Sequence, residues 1–475
     1  MNQIMNPTYQ YIPSPINHSG QSAESSSAEN ERPMHEATNT AGWPYAAFDL
    51  EQDKPARAPL TAYDSSTKMR YAYNANTGIW KPLNNLGQRA DSDIDVDFNE
   101  LDNFHSNHMI HVANGVLNIA QNGQLRLIPP SPYLFSRNRS PIEWDPKASA
   151  DVFLSTLQRV LSPDDVLALQ LYFGQCLLGK NHTHTMLLLH DRKNIMKTTV
   201  LHILMHLLGN DSFETLRTSH LDGRLGLERY VGKQLIVAQN VHPNFLATNS
   251  ASTLNRLMGG DWLGAQLSES NTEQSTTVNF NACVTANSFL IVQNEGDRAT
   301  LKRRLLVLMF KSGKNCKKVT RDFTSKIILK EGPGILRWAV DGAVTLLREI
   351  SKTGSFPRSE DQITLVKRMV NFSDCFSAFV STHIQYDPHS HVTHNELFIA
   401  FHAFLECHID NKMSDWLSNI DETFPRMLPT FMKSREWKIL MKNTQYCGNN
   451  EWAYQNVRLL PQIQMQSGAS KEVTN

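Results

Sequence analysis

The residues of this 475-residue chain with a spacing suited to chemistry are 191–198, Asp-Arg-Lys-Asn-Ile-Met-Lys-Thr. Lys197 and Thr198 stand where the phosphate-binding pattern G-x-x-x-x-G-K-[ST] places its lysine and its hydroxyl, and the apolar run TMLLL (185–189) precedes them. In that pattern glycines let backbone N–H groups close round phosphate oxygens, the lysine balances their charge and the hydroxyl serves magnesium. Here Asp191 and Met196 hold the two glycine positions. Methionine in place of a glycine that must adopt φ > 0 costs roughly 1–2 kcal/mol, and its side chain competes for the phosphate space. Asp191 adds negative charge beside a triphosphate, which Arg192, Lys193 and Lys197 offset in part. A Lys-Thr pair also opens many ordinary helices, so spacing alone leaves both readings open.

Other groupings carry less chemistry. His182, His184 and His190 alternate near one strand and His105, His108 and His111 cluster upstream, but no carboxylates or cysteines converge on them. They read as packed or surface histidines, and no metal site is expected. Asp91, Asp93, Asp95 and Asp102 fall at calcium-loop offsets, yet Val96 sits where such a loop turns on glycine, so a solvated acidic loop is expected. The six cysteines form no C-x-x-C pair and read as reduced thiols of an intracellular protein. Lys314, Lys317, Lys318 and Arg321 make a basic run that suits a solvated face or a nucleic-acid contact. No Ser-His-Asp or Cys-His arrangement has interpretable spacing.

The elements that must position Lys197 and Thr198 follow from periodicity. Val200, Ile203, Leu204, Leu207 and Leu208 share one face of a helix beginning at Lys197. The runs QLIVA (234–238), ACVTA (282–286) and RLLVLMF (304–310) are continuous and apolar, like 185–189. Such strands separated by helices predict a parallel sheet covered on both faces, an α/β core over 181–330. Ahead of it the composition predicts a disordered tail (1–60), an acidic, partly ordered segment (61–110) with a hairpin near 63–80, and a mostly helical accessory domain (111–180) opened by short strands in HVANGVLNI. After it come an amphipathic helix over 331–349, a link to about 365 and a helix-rich, then loop-rich module, together spanning 331–465. Within that module Thr393 and Glu396 are set to form a capping box, and a tail (466–475) follows.

Lys+Arg and Asp+Glu both number 46, but residues 1–110 hold 7 basic against 14 acidic residues, net −7, so the remainder carries +7. That split hints at a polyanionic partner for the later part. No run reaches the ~18 apolar residues of a membrane span, and the polar start MNQIMNPTYQ lacks a secretory hydrophobic region. A membrane protein, a secreted disulfide scaffold and a fibrous protein are excluded on these grounds.

Six segments in a fixed order carry a family resemblance. They are NGVLNI with WDPKASADVFLSTL and LQLYFGQCLLGK, the 191–198 loop, GKQLIVAQN, LNRLMGGDWLGA with Gly259-Gly260-Asp261, NACVTANSF, and DRATLKRRLLVLMF. EGPGILRWAVDGAVTLL and the C-terminal module fit as well. Residues 111–461 resemble the superfamily 3 helicases of viruses, phages and plasmids, of the primase-associated type shared by poxviruses and satellite phages. The resemblance implies a P-loop NTPase core of the AAA+-like superfamily 3 kind, a helical N-terminal accessory domain and a C-terminal helical or winged-helix module. It implies that Asn194, Lys197 and Thr198 bind phosphate, that Gln239 and Asn240 fill the second motif, that Asn287 is the polar sensor, and that Arg303 or Arg304 completes a neighbouring subunit's site.

The departures are chemical. Gln239 and Asn240 stand where the family has carboxylates, and amides hold magnesium poorly and cannot act as bases. The segment 262–280, where the family carries a DNA-tracking hairpin, contains no Lys or Arg and two Glu. The expectation is therefore a hexameric DNA replication protein of a phage, virus or mobile element in the cytoplasm of a bacterial host or infected cell. Its binding of ATP and Mg²⁺ is weakened, its hydrolysis poor or absent, and its DNA single-stranded or an origin. The 110 acidic, polar upstream residues cannot house a primase, so priming or active unwinding comes from a separate partner. The alternatives are an active ATP-driven helicase and a structural or interfering subunit that binds neither nucleotide nor DNA.

Overall fold

Short strands occupy residues 61–96. The computed structural model describes residues 60–65, 69–83, 89–98, 108–190, 196–216, 230, 232–246, 249–259, 262–266, 273–277, 279–292, 295–311, 322–408, 441–446 and 449–460. Strands β1 (Thr61–Asp64), β2 (Arg70–Asn74), β3 (Ile79–Pro82) and β4 (Ile94–Val96) form a sheet in the order β3-β2-β1-β4, wider than the expected hairpin. The hairpin itself is β2–β3, turned where the Asn74 side chain accepts from the N–H groups of Asn76 and Thr77. Asp93, expected in solvent, is buried: Arg70 donates to both its carboxylate oxygens, each at 2.7 Å. That guanidinium pairing holds the Asp93 carboxyl down to about 2. Asp102 lies outside the described residues.

The segment expected to be mainly helical starts with an antiparallel sheet of β5 (Met109–Val112), β6 (Gly115–Ile119) and β7 (Leu125–Ile128), the first pair joined through the two-residue turn Ala113-Asn114. Helices α1 (Asp151–Val160) and α2 (Pro163–Leu178) follow. Helix α2 starts at Ser162, whose hydroxyl accepts from the Asp165 N–H at 3.2 Å, and ends at Gly179 in the left-handed region. Cys176 and Cys283 are buried, which pushes their thiols up and leaves them unreactive.

The centre is built from β8 (Met186–His190), α3 (Lys197–Leu208), β9 (Phe213–Thr215), β10 (Leu235–Val241), α4 (Asn249–Gly259), β11 (Trp262–Gln266), β12 (Glu273–Thr277), β13 (Asn281–Ala286), α5 (Glu295–Arg304) and β14 (Leu305–Met309). Five of these strands make an all-parallel sheet in the order β14-β8-β13-β10-β9. Counted along the chain, that order is 5-1-4-3-2. The pleat divides the apolar side chains: Leu187, Leu189, Val237, Cys283, Leu306 and Leu308 face a core with α1, α2, α3 and the later helix α6 (Phe323–Thr353). Met186, Leu188, Ile236, Val284, Leu305 and Val307 face the opposite core with α4. The three-residue β9 carried no periodic signal, and β11–β12 form a separate antiparallel hairpin between α4 and β13.

At the amino edge of the sheet a buried amide network fastens α2 to the strands. Asn181 donates to the carbonyls of Thr185 and Phe280 at 3.0 and 2.9 Å and accepts from the Thr185 N–H and from Gln175. Gln175 also donates to Asn281 at 2.9 Å, and Asn281 donates to the Gln234 carbonyl at 3.1 Å. Above it α2 and α6 touch through glycine: a Cβ on Gly174 would lie 2.2 Å from the Ala343 nitrogen, and one on Gly342 2.2 Å from the Gln170 oxygen.

Helix α6 begins earlier than the apolar pattern suggested and passes through Pro333. Its buried Glu331 caps α1, accepting from the N–H groups of Val152 and Phe153 at 3.1 and 2.9 Å. Next come α7 (Glu360–His383), β15 (Ile384–Thr393), α8 (His394–His408), β16 (Met441–Tyr446) and β17 (Asn449–Leu459), the strands ordered β15-β17-β16 and antiparallel. This sheet replaces the loop-rich end expected from composition. The Thr393–Glu396 capping box forms, with the Thr393 N–H donating to Glu396 at 2.8 Å. No helix among the described residues is long and apolar enough to cross a membrane.

Two stability outcomes follow. Asn181→Ala strands the Thr185 N–H and one Gln175 donor, and urea unfolding is expected to register a loss of about 2–5 kcal/mol. Burial pushes the Asp341 carboxyl on α6 up to about 7. The folded state thus disfavours its charged form, and stability falls as pH rises from about 4 to about 7. Thermal unfolding should find Asp341→Asn more stable than wild type at pH 8 and indistinguishable at pH 4.

Candidate functional site

The sheet order locates the crevice. The chain leaves β8 for α3, whose Val200, Leu204 and Leu207 sit in one core, and leaves β13 toward α5, whose Leu301 sits in the other. Adjacent parallel strands that exit to opposite faces open a cleft at their carboxyl ends, the usual ligand position in such sheets. Lys197, the first residue of α3, and Asn287, just after β13, meet in this cleft.

Lys197 is fully buried, and its Nζ donates to Asn287 Oδ1. An ammonium taken out of water needs oxygen acceptors, and an amide carbonyl supplies one without a formal charge. Thr198 is half-buried beside it. Met196 precedes the helix at φ −139° and offers no side-chain cap. Asn194, with Asp191, Arg192, Lys193 and Ile195, lies outside the described residues.

The cleft has a packed floor that the sequence did not disclose. His190 ends β8, is buried, and stacks on Phe289 with ring centroids 4.7 Å apart and planes 9° from parallel. The stack links the strand that leads to Lys197 with the segment that carries Asn287. Its one sequence signal is a histidine closing an apolar strand, which by itself does not distinguish such a stack from ordinary packing. Among the described residues no three His, Cys, Asp or Glu are grouped to hold a metal ion.

Gln239 and Asn240 are exposed at the carboxyl end of β10, on the same edge but with β13 between them and β8. Two strand spacings put them about 10 Å from the β8 axis. The ladder to β13 shifts register between Ala238 and Val241, and Asn240 takes φ +49° while its N–H donates to Thr285 Oγ1 at 2.8 Å. Asparagine tolerates this left-handed conformation better than most residues.

Arg303 and Arg304 do not join Lys197 within the chain. They end α5 at the amino edge of β14, the opposite rim of the sheet, about 16 Å away along five strand residues. Arg303 is exposed, whereas Arg304 donates to the Asn255 carbonyl at 2.5 Å. Arg358, which sequence reasoning passed over, closes the end of α5 by donating to the carbonyls of Arg303, Lys302 and Leu305, the last two at 3.3 and 3.1 Å. The basic run Lys314, Lys317, Lys318 and Arg321 lies outside the described residues, as do Gly260 and Asp261.

The strand order, the parallel sheet and a lysine opening a helix at the carboxyl end of its first strand make an α/β core consistent with a P-loop NTPase-like fold. No family model matches the chain, and no curated protein matches it. Among solved structures it is similar to the apo C-terminal region of NrS-1, at 11% identity and a TM-score of 0.40 over 83% of this chain and 96% of that one. It is also similar to JCV helicase bound to a small acetamide compound, at 11% identity and a TM-score of 0.21 over 46% of this chain and 62% of that one. A third is an ATPase candidate from Cytophaga hutchinsonii, at 13% identity and a TM-score of 0.23 over 60% and 93%.

The Lys197–Asn287 pair predicts an asymmetry. Asn287→Leu deprives a buried ammonium of an acceptor and should lower stability by about 1.5–3 kcal/mol in urea unfolding. Lys197→Met, which removes the charge and keeps the length, should stay within about 1 kcal/mol of wild type.

Proposed function

We propose that this chain is a superfamily 3 helicase-like DNA replication protein of a phage, virus or mobile element, a ring former whose ATP hydrolysis is weak or absent. The observation that carries the reading is the contrast at one sheet edge: Lys197 and Asn287 meet in the cleft, while β10 ends in the amides of Gln239 and Asn240.

The groups suit phosphate better than they suit magnesium. A triphosphate entering the cleft would exchange the Asn287 oxygen for phosphate oxygens at Lys197, with Thr198 beside it; the same role is proposed for Asn194 from the sequence alone. Gln239 and Asn240 bring oxygen atoms without charge, so they neither hold a divalent cation firmly nor take a proton from water. No hydrolytic step is assigned to them. Arg303 or Arg304, at the far rim, would reach the cleft of a neighbouring subunit only in a closed ring, in keeping with a hexamer. The C-terminal helices with β15–β17 are assigned as the helical or winged-helix module. DNA, single-stranded or an origin, is the proposed polyanion, a separate primase or active helicase the proposed partner, and the cytoplasm of a bacterial host or infected cell the setting.

The test is titration of the full chain with magnesium and a fluorescent ATP analogue, with oligomer mass recorded in parallel. Weak uptake, lost in Lys197→Met, and turnover at background are expected. Restoring the carboxylates in Gln239→Glu with Asn240→Asp should tighten magnesium-dependent binding by about tenfold or more. Brisk hydrolysis stimulated by single-stranded DNA and abolished in Lys197→Met would establish the active helicase instead. No nucleotide uptake and no DNA binding would leave the structural subunit.

A further inference from the structure

At the other end of α3 from Lys197, the strand β3, the segment 137–141 and the turn 209–212 line an open hollow of about 160 Å³. Lys81, Arg137 and Arg139 line it against a single carboxylate, Asp211, with Asn138 and Ser212 as neutral polar neighbours. The cations are held in place from different directions. The Arg137 guanidinium lies 4.6 Å from the centroid of the Phe98 ring, and Asn138 ties the segment between the arginines to the Gly232 carbonyl at 3.0 Å. Lys81 reaches the Asp211 carboxylate at 3.1 Å, while Lys233 donates to the Asp211 carbonyl at 2.8 Å. The Lys81–Asp211 pair is half or more exposed on both sides, and a pair in that setting is readily exchanged for another anion.

Three cations against one carboxylate in a concave space select an anion. The hollow is about half open to solvent, so a phosphate carried on a longer strand can enter it. A planar guanidinium fixed over an aromatic ring is suited to phosphate oxygens. The hairpin β11–β12 and its flanks, residues 262–280, contain no Lys or Arg, so a strand handled by this chain needs a cationic seat elsewhere.

We infer that this junction between the N-terminal sheet and the parallel-sheet core seats a backbone phosphate of a DNA strand. The inference rests on the reading of the chain as a DNA-acting protein and names a place on it where the strand is held. Because the turn 209–212 joins α3 to β9, a strand bound there touches the far end of the helix that Lys197 begins.

The test is fluorescence anisotropy of the full chain with a labelled 20-nucleotide single strand, without nucleotide, at several salt concentrations. Lys81→Gln with Arg139→Gln should weaken binding about tenfold and reduce the slope of log affinity against log salt by about one. Asp211→Asn, which removes only the opposing charge, should tighten binding a few-fold, so a loss caused by misfolding cannot imitate the paired result. Unchanged affinity and slope in both variants, with wild type binding DNA, would overturn the seat and leave the DNA-acting reading intact; those cations would then serve only the carboxyl end of α3. No DNA binding by wild type would overturn both. Saturable uptake of inorganic tripolyphosphate, lost in the double variant while strand binding stays unchanged, would also sink the inference by assigning the cavity to a small free anion.

Discussion

Asn181 pins a helix and two strands together through one amide, and the geometry of the cleft depends on it. Its carbonyl and its NH₂ group each engage two partners, so it reaches the Thr185 backbone, the Phe280 carbonyl and the Gln175 side chain together. Gln175 extends the link to Asn281 and thus to β10. Parallel strands have no tight turn between them to set register, and apolar packing alone tolerates a slide. A saturated polar network does not, because each displaced partner is left buried and unsatisfied. With β8 and β13 locked at their amino ends, their carboxyl ends bring Lys197 and Asn287 together.

The cleft sets a buried ammonium against an uncharged acceptor. Lys197 is buried at the start of α3, and Asn287 supplies an oxygen to its ammonium. Two spacings along the edge, β10 ends in two amides, one of them in a left-handed kink that β-branched or bulky residues would resist. At the opposite rim, Arg304 and Arg358 instead serve the fold, binding the Asn255 carbonyl and the carbonyls that end α5.

Much of the core was legible because its physics is local. Apolar runs such as 185–189 and 282–286 are strands buried on both faces, and Val200 to Leu208 follow the helical period, so the alternation of elements could be read directly. The hairpin β2–β3 and the Thr393–Glu396 box were likewise visible, since a turn or a cap is written within four residues. What escaped was structure held by distant partners. Three-residue β9 has no period to detect, and it exists because β10 pairs with it. The strands β15–β17 look like loop by composition and become a sheet only by pairing across about 70 residues. Asp93 looked like a solvated acid because Arg70, which buries it, lies 23 positions away.

The amino-acid order by itself determined the apolar strands and amphipathic helices of the core, that Lys197 would open a helix after an apolar strand, and that carboxylates would be missing from 239–240, since these depend on residue type and short-range period. Tertiary structure alone decided that Asn287 reaches the Lys197 ammonium, that His190 stacks on Phe289, that Arg303 and Arg304 stand on the other rim, and that Lys81, Arg137 and Arg139 share one hollow. Each of those is a contact across dozens of residues, and only the order in which strands lie side by side determines which distant side chains become neighbours.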